Sequence, residues 1–136
     1  MTIQESDPFD GEAGVLRLPA AKTSVRVARQ FVRTEISNWG CTPTPDVELA
    51  TSEVVTNAIV HTNNDLSLWI HRVDGHARVE VHDVDPTPPV PQSRHERPVG
   101  GWGMSLVEAL AKCWGVRQIE GDGKVVWFDI DLSRQR

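Results

Sequence analysis

The segment Glu48-Leu49-Ala50-Thr51-Ser52-Glu53-Val54-Val55-Thr56-Asn57-Ala58-Ile59-Val60-His61 sets a narrow polar stripe into an otherwise apolar helix. At 100° per residue, Glu53, Asn57 and His61 fall at i, i+4 and i+8 and stack along one line. Leu49 and Val60 border that line on one side. Ala50, Val54 and Ala58 border it on the other and continue through Val55 and Ile59. A carboxylate and a carboxamide between apolar flanks are costly to bury unpaired, so they face a wet cleft, a metal or a partner group. For the helix taken alone, a plain solvated face is the competing reading.

Downstream, residues 62–65 form a turn cluster, and two alternating runs, 66–73 and 77–83, are joined by Asp74-Gly75. That pattern predicts a β-hairpin. Val79 and Val81 share its inward face, so Asp83, four residues after Val79, points inward at the strand's end. An inward carboxylate there needs a donor. Residues 84–102 carry prolines at 86, 88, 89, 91 and 98, followed by Gly100, Gly101 and Gly103. A segment this long and irregular inside a small domain is a lid or binding loop, or an idle loop. A helix is expected over residues 104–114, closed by Gly115, and a last hairpin over 116–132.

Upstream, Asp46 stands where a cap should precede the central helix, after prolines at 43 and 45. Residues 22–39 carry a helical stripe of Val25, Ala28, Val32 and Ile36, capped by Thr23 or Ser24 and ended by Gly40. Arg26, Arg29 and Arg33 form either a solvated face of that helix or a partner surface. Residues 15–18, stopped by Pro19, read as an edge strand. Residues 1–14 are expected to be a disordered leader, 15–132 one domain and 133–136 a tail.

Composition narrows the function. A chain of 136 residues with 39% hydrophobic and 24% charged residues suits one ordinary globular domain. No apolar run approaches a membrane span, and the first residues lack the pattern of a signal peptide, so a cytoplasmic protein is expected. A net charge of -5 argues against a nucleic-acid surface and for a protein partner or small ligand. Cys41 and Cys113 are too far apart for a metal or redox motif, and no histidines pair at zinc-site spacing.

The pieces allow one chemistry in particular. Gly101 and Gly103 let the main chain approach phosphate oxygens, and the helix starting near Met104 aims its amides at them; a mere turn is the alternative. Magnesium takes oxygen ligands at about 2.1 Å and keeps several waters, so one carboxamide oxygen plus phosphates suffices, and Asn57 fits that role. Glu53, one turn earlier, can hold a metal-bound water or take a proton from an attacking hydroxyl. Asp83 can accept from the exocyclic amine of adenine, whereas guanine presents a carbonyl there.

Taken in this order, Glu-x-x-x-Asn on a helix (Glu53, Asn57), an aspartate ending a strand (Asp83) and Gly-x-Gly before a helix (Gly101, Gly103) resemble the N, G1 and G2 boxes of the GHKL ATP-binding fold. Within it, the bacterial anti-sigma factor serine kinase branch is the most similar, over roughly residues 15 to 131. The resemblance implies a two-layer α/β sandwich, with a mixed, mostly antiparallel sheet, helices on one face and ATP between helices and lid. It implies Asn57 as the Mg2+ ligand, Glu53 as the catalytic carboxylate, Asp83 as the adenine contact and Gly101 and Gly103 as phosphate-loop glycines, with Ser105 at a position where the branch often carries a hydroxyl. It also implies two partners, a sigma factor that is sequestered and an anti-sigma-factor antagonist whose serine is phosphorylated, and leaves a homodimer open. Three departures stand out: Asp85 replaces a glycine of the G1 box, Gly123-Lys124-Val125 lacks a usual threonine, and the lid is proline-laden. They support the alternative of a binding-only regulator without kinase activity. A metabolite-sensing module is a third reading.

Overall fold

Alternation and turn chemistry build the sheet first. In a computed structural model of the chain, residues 13–62, 64–83, 104–119 and 123–134 are described. Strands β3 (Leu66–Val73) and β4 (His76–Asp83) form the expected hairpin. Its turn residues, Asp74 at φ 40 and Gly75 at φ 82, are both left-handed, the conformation a two-residue turn needs to match strand twist. Strand β1 (Ala13–Leu18) pairs with β3 at one edge, and β6 (Gly123–Asp131) pairs with β4, followed by β5 (Cys113–Ile119). The order is β1-β3-β4-β6-β5, antiparallel at each of these pairings. A separate two-residue ribbon joins β2 (Cys41–Thr42) to β7 (Ser133–Arg134).

Three helices complete the chain: α1 (Thr23–Asn38), α2 (Pro45–His61) and α3 (Met104–Leu110). The core forms where Ala28, Val32 and Ile36 of α1 and Val54, Val55 and Ala58 of α2 meet one side of the strands: Leu66, Leu68 and Ile70 of β3, Val79 and Val81 of β4, and Val126, Phe128 and Ile130 of β6. These strand residues are spaced by two, so they share one face of the pleat. The architecture is the expected two-layer α/β sandwich.

Several boundaries differ from expectation. β1 starts at Ala13, because Ala13 and Gly14 already pair with His71 and Ile70. Thr44, not Asp46, caps α2, its hydroxyl accepting from the Val47 amide, while Pro45 takes the first helical position. Asp46 lies in the first turn, where its charge suits the positive helix end. Neither Thr23 nor Ser24 caps α1; Lys22 holds that position, and Ser24 Oγ donates instead to the Pro19 carbonyl at 2.6 Å. α3 stops at Leu110 rather than continuing to residue 114. The Lys112 amide donates to the Asp129 carbonyl at 2.7 Å and Trp114 pairs with Phe128, so sheet pairing overrides the local helical pattern.

Two of the three α1 arginines are not simply solvated. Arg33 grips both carboxylate oxygens of Glu48 at 2.7 and 2.9 Å, and Arg29 donates to Ser52 Oγ at 3.0 Å, which ties α1 to α2. The expectations for residues 1–12, for the lid at 84–103, with Asp85, and for the turn at 120–122 lie outside the described residues.

Candidate functional site

Helix α2 is buried on most of its circumference, so its polar residues are held by packing. Val47, Ala50, Thr51, Ser52, Val54, Val55, Asn57 and Ala58 are all buried. The apolar flank at Leu49 and Val60 is instead exposed, at 42% and 70%. Asn57 is enclosed, and among the described residues nothing hydrogen-bonds its Nδ2. An orphaned carboxamide in a protein interior is costly unless a ligand or water completes it.

Asn57 lines a small cleft, with a cavity volume of about 20 Å³, that opens toward solvent. α2 supplies Val54, Asn57, Ala58 and His61 to its wall; β4 supplies Val81 and Asp83, β6 supplies Lys124 and Val126, and α3 supplies Met104. The sequence stripe and the end of the hairpin therefore do converge: Asn57, His61 and Asp83 face one cavity. Glu53 sits one turn before Asn57, half-buried, and is not among the described residues that line the cleft. Ser105 follows Met104 in α3; its Oγ is buried and has no hydrogen-bond partner among the described residues. Gly101 and Gly103 lie outside the described residues.

The donor that inward Asp83 requires is Lys124. The two are register partners across β4 and β6, and Lys124 Nζ lies 3.1 Å from Asp83 Oδ2. Their side chains are only 4% and 2% exposed. Lys124 is thus a site residue beyond those expected from the sequence, where residues 123–125 stand out for lacking a threonine. The signal was present: Lys124, Val126, Phe128 and Ile130 alternate, so the ammonium had to start from the inward face.

A second polar cluster occupies the opposite face of the sheet. Arg78 grips Asp129 through two bonds of 2.6 and 2.8 Å and stacks over Trp127 at 4.1 Å. Glu80 receives His82 Nε2 at 2.8 Å, with Arg117 and His71 each 3.9 Å away. Burial by itself would raise both carboxyls. The His82 bond and the nearby His71 and Arg117 charges instead hold Glu80 below its ordinary value, and the Arg78 grip holds Asp129 below its own. Burial, with the hydrogen bond to Asp129, pushes the Cys113 thiol up, so Cys113 is a quiet member of this cluster. Among the described residues no group of three or more His, Cys, Asp or Glu side chains could hold a metal, and no helix is long and apolar enough to cross a membrane.

A two-layer sandwich whose helix-covered side opens into a cleft walled by an enclosed carboxamide, its Nδ2 without a partner among the described residues, and by a buried carboxylate is the form of a small-ligand-binding domain. The chain belongs to the histidine kinase-like ATPase domain family, whose model matches residues 18–130. Its fold is also similar to the crystal structure of the RsbU and RsbW domains of Rv1364c from Mycobacterium tuberculosis, with a TM-score of 0.68 and 22% identity. That match covers 92% of this chain and 34% of the other, so the chain spans about a third of that structure's length. No curated protein sequence matches the chain.

Proposed function

We propose that the protein is an ATP-binding anti-sigma factor with serine protein kinase activity, which sequesters a sigma factor and phosphorylates an anti-sigma-factor antagonist. The observation that carries this reading is the enclosed Asn57 amide, lacking a partner among the described residues, in a cleft that ends on Asp83. The family membership and the RsbW domain of the structural relative support it.

The residues present fit a magnesium-nucleotide. Asn57 offers a carboxamide oxygen to the metal, Asp83 stands at the base end of the cleft, and the Gly101 and Gly103 amides would cradle phosphates ahead of α3. When bound there, magnesium would supply charge neutralisation on the phosphate oxygens. Glu53, on the same helix face as Asn57, orients the acceptor serine and takes its proton on a carboxylate oxygen. Ser105 adds a hydroxyl beside the cleft.

Calorimetric titration with Mg2+-ATP tests the first step. Binding is expected in the wild type and should weaken at least tenfold in Asn57→Ala; absence of binding, or an unaffected variant, counts against the reading. Phosphoryl transfer to a serine of the antagonist, abolished by Glu53→Ala, separates the kinase from a binding-only regulator. The second reading draws on Glu53 standing outside the cleft lining and on the engagement of Asp83 by Lys124.

A further inference from the structure

We infer that the outer edge of β5 is a docking site for an extended, acidic segment of a partner protein, which adds there as one more strand of the sheet; this goes beyond the nucleotide reading and does not depend on it. β5 ends the order β1-β3-β4-β6-β5, and among the described residues it pairs with β6 alone, one residue to one from Cys113–Asp129 to Ile119–Gly123. Its other side therefore carries a row of main-chain donors and acceptors without a ladder partner. Edge strands are commonly blunted by a bulge, a proline or shortness, and the seven residues of β5, in unbroken register, show none of these. No residue of β5 is among those that line the cleft, so the two sites are separate.

Side chains on both faces give that edge its chemistry. Gly115 has no left-handed backbone to explain it; its missing side chain makes room for Trp127, whose Cζ2 and Nε1 would stand 2.9 and 3.1 Å from an added Cβ. A glycine inside a strand weakens it and marks such a close approach. The indole thereby lies over β5, incompletely buried. Arg117, two residues on and on the same face, is 52% exposed, and its contact to Glu80 Oε1 is long, at 3.9 Å, because His82 holds that oxygen at 2.8 Å. On the inner face Trp114 packs against the core while Val116 is 36% exposed. Residues 112–119 hold two bases, Lys112 and Arg117, and no acid, in a chain whose net charge is -5. A strand added here meets an indole and a cation on one face and an apolar patch on the other, which suits alternating acidic and apolar residues. The methylenes of a glutamate would lie along the indole while its carboxylate reaches Arg117.

The probe is a capped seven-residue peptide of alternating glutamate and valine, titrated into the full chain and followed by tryptophan fluorescence and amide hydrogen exchange. Its comparators are the lysine–valine peptide and a glutamate–valine peptide N-methylated throughout. Wild type should bind the glutamate peptide saturably and about fivefold more tightly than the lysine peptide, against the bias that an acidic chain gives to non-specific attraction. N-methylation, which removes the main-chain donors, should weaken binding at least tenfold. Amides of residues 113–119 should exchange more slowly with peptide bound, and those of α2 at an unchanged rate. Arg117→Glu should reverse the order of the two charged peptides, with a thermal melt to show that it folds; should it not fold, the N-methylated peptide on wild type decides. Absence of saturable binding, a wild-type preference for the lysine peptide, an order untouched by Arg117→Glu, or equal binding of the N-methylated peptide overturns the inference. So does a wild-type dimer in which residues 113–119 are protected before any peptide is added, which assigns the edge to a second copy of the chain. None of these outcomes touches the cleft, so each leaves the nucleotide reading intact.

Discussion

Strand β4 presents buried carboxylates to both sides of the sheet, and the two sides handle them differently. On the outer side Glu80 shares its charge with His82, His71 and Arg117, while Asp129, on the neighbouring strand β6, is gripped by its ladder partner Arg78, which also lies over the Trp127 ring. Arg117 and Arg78 remain 52% and 25% exposed, so water still screens this cluster. On the inner side Asp83 meets Lys124 where almost no water reaches. A screened network of several partners behaves as scaffold, because losing one member leaves others. An enclosed pair inside a cleft wall is sensitive both to mutation and to whatever enters the cleft.

The sharpest way to break the contrast is Lys124→Met. Leaving Asp83 enclosed opposite an apolar chain should cost about 3–5 kcal/mol in urea unfolding, and adding Asp83→Leu should recover most of it. A single-variant loss under about 1 kcal/mol would mean that solvent reaches the pair and that the two faces are equivalent.

A smaller effect is expected from acid on the outer face. Glu80 and Asp129 sit below their ordinary values in the folded chain. Their contribution is therefore complete above the usual carboxylate range near pH 4, and is lost as pH falls through the lower folded values. Urea midpoints measured from pH 7 to pH 2 should drop at the acid end. Asp129→Asn should lower the midpoint at pH 7 and flatten that drop; an unchanged acid slope would show that the cluster is not what titrates.

The least disruptive probe is Gly115→Ala. An added Cβ would stand 2.9 Å from Trp127 Cζ2, pressing on the ring that Arg78 covers. The expected loss is about 1 kcal/mol, because an incompletely buried ring can give way in part. Tryptophan fluorescence should shift with it, and a spectrum identical to wild type would place the strain elsewhere.

What could be read in advance was what local chemistry controls. Strict alternation with Asp74-Gly75 between the runs put β3, β4 and the inward Asp83 in place, and the spacing of Val54, Asn57 and Ala58 put the carboxamide beside the core. What escaped depended on distant partners. The two-residue ribbon of Cys41–Thr42 with Ser133–Arg134 has no periodicity to detect, and α3 is cut short by a bond from Lys112 to a strand seventeen residues further on. Lys124 is hard to read for another reason: a lysine is expected at the surface, and its inward position becomes tolerable through pairing such as that with Asp83.

The hairpin turn has a consequence for chemistry far from it. Because just two residues, Asp74 and Gly75, separate the arms, the phase of β4 is locked, and odd-numbered residues from Ala77 to Asp83 look toward the helices. One residue inserted at that corner, unless absorbed as a bulge, would invert the phase and exchange Asp83 for His82 at the cleft. The identity of the group that greets a ligand is thus decided by the length of a bend at the other end of the strand.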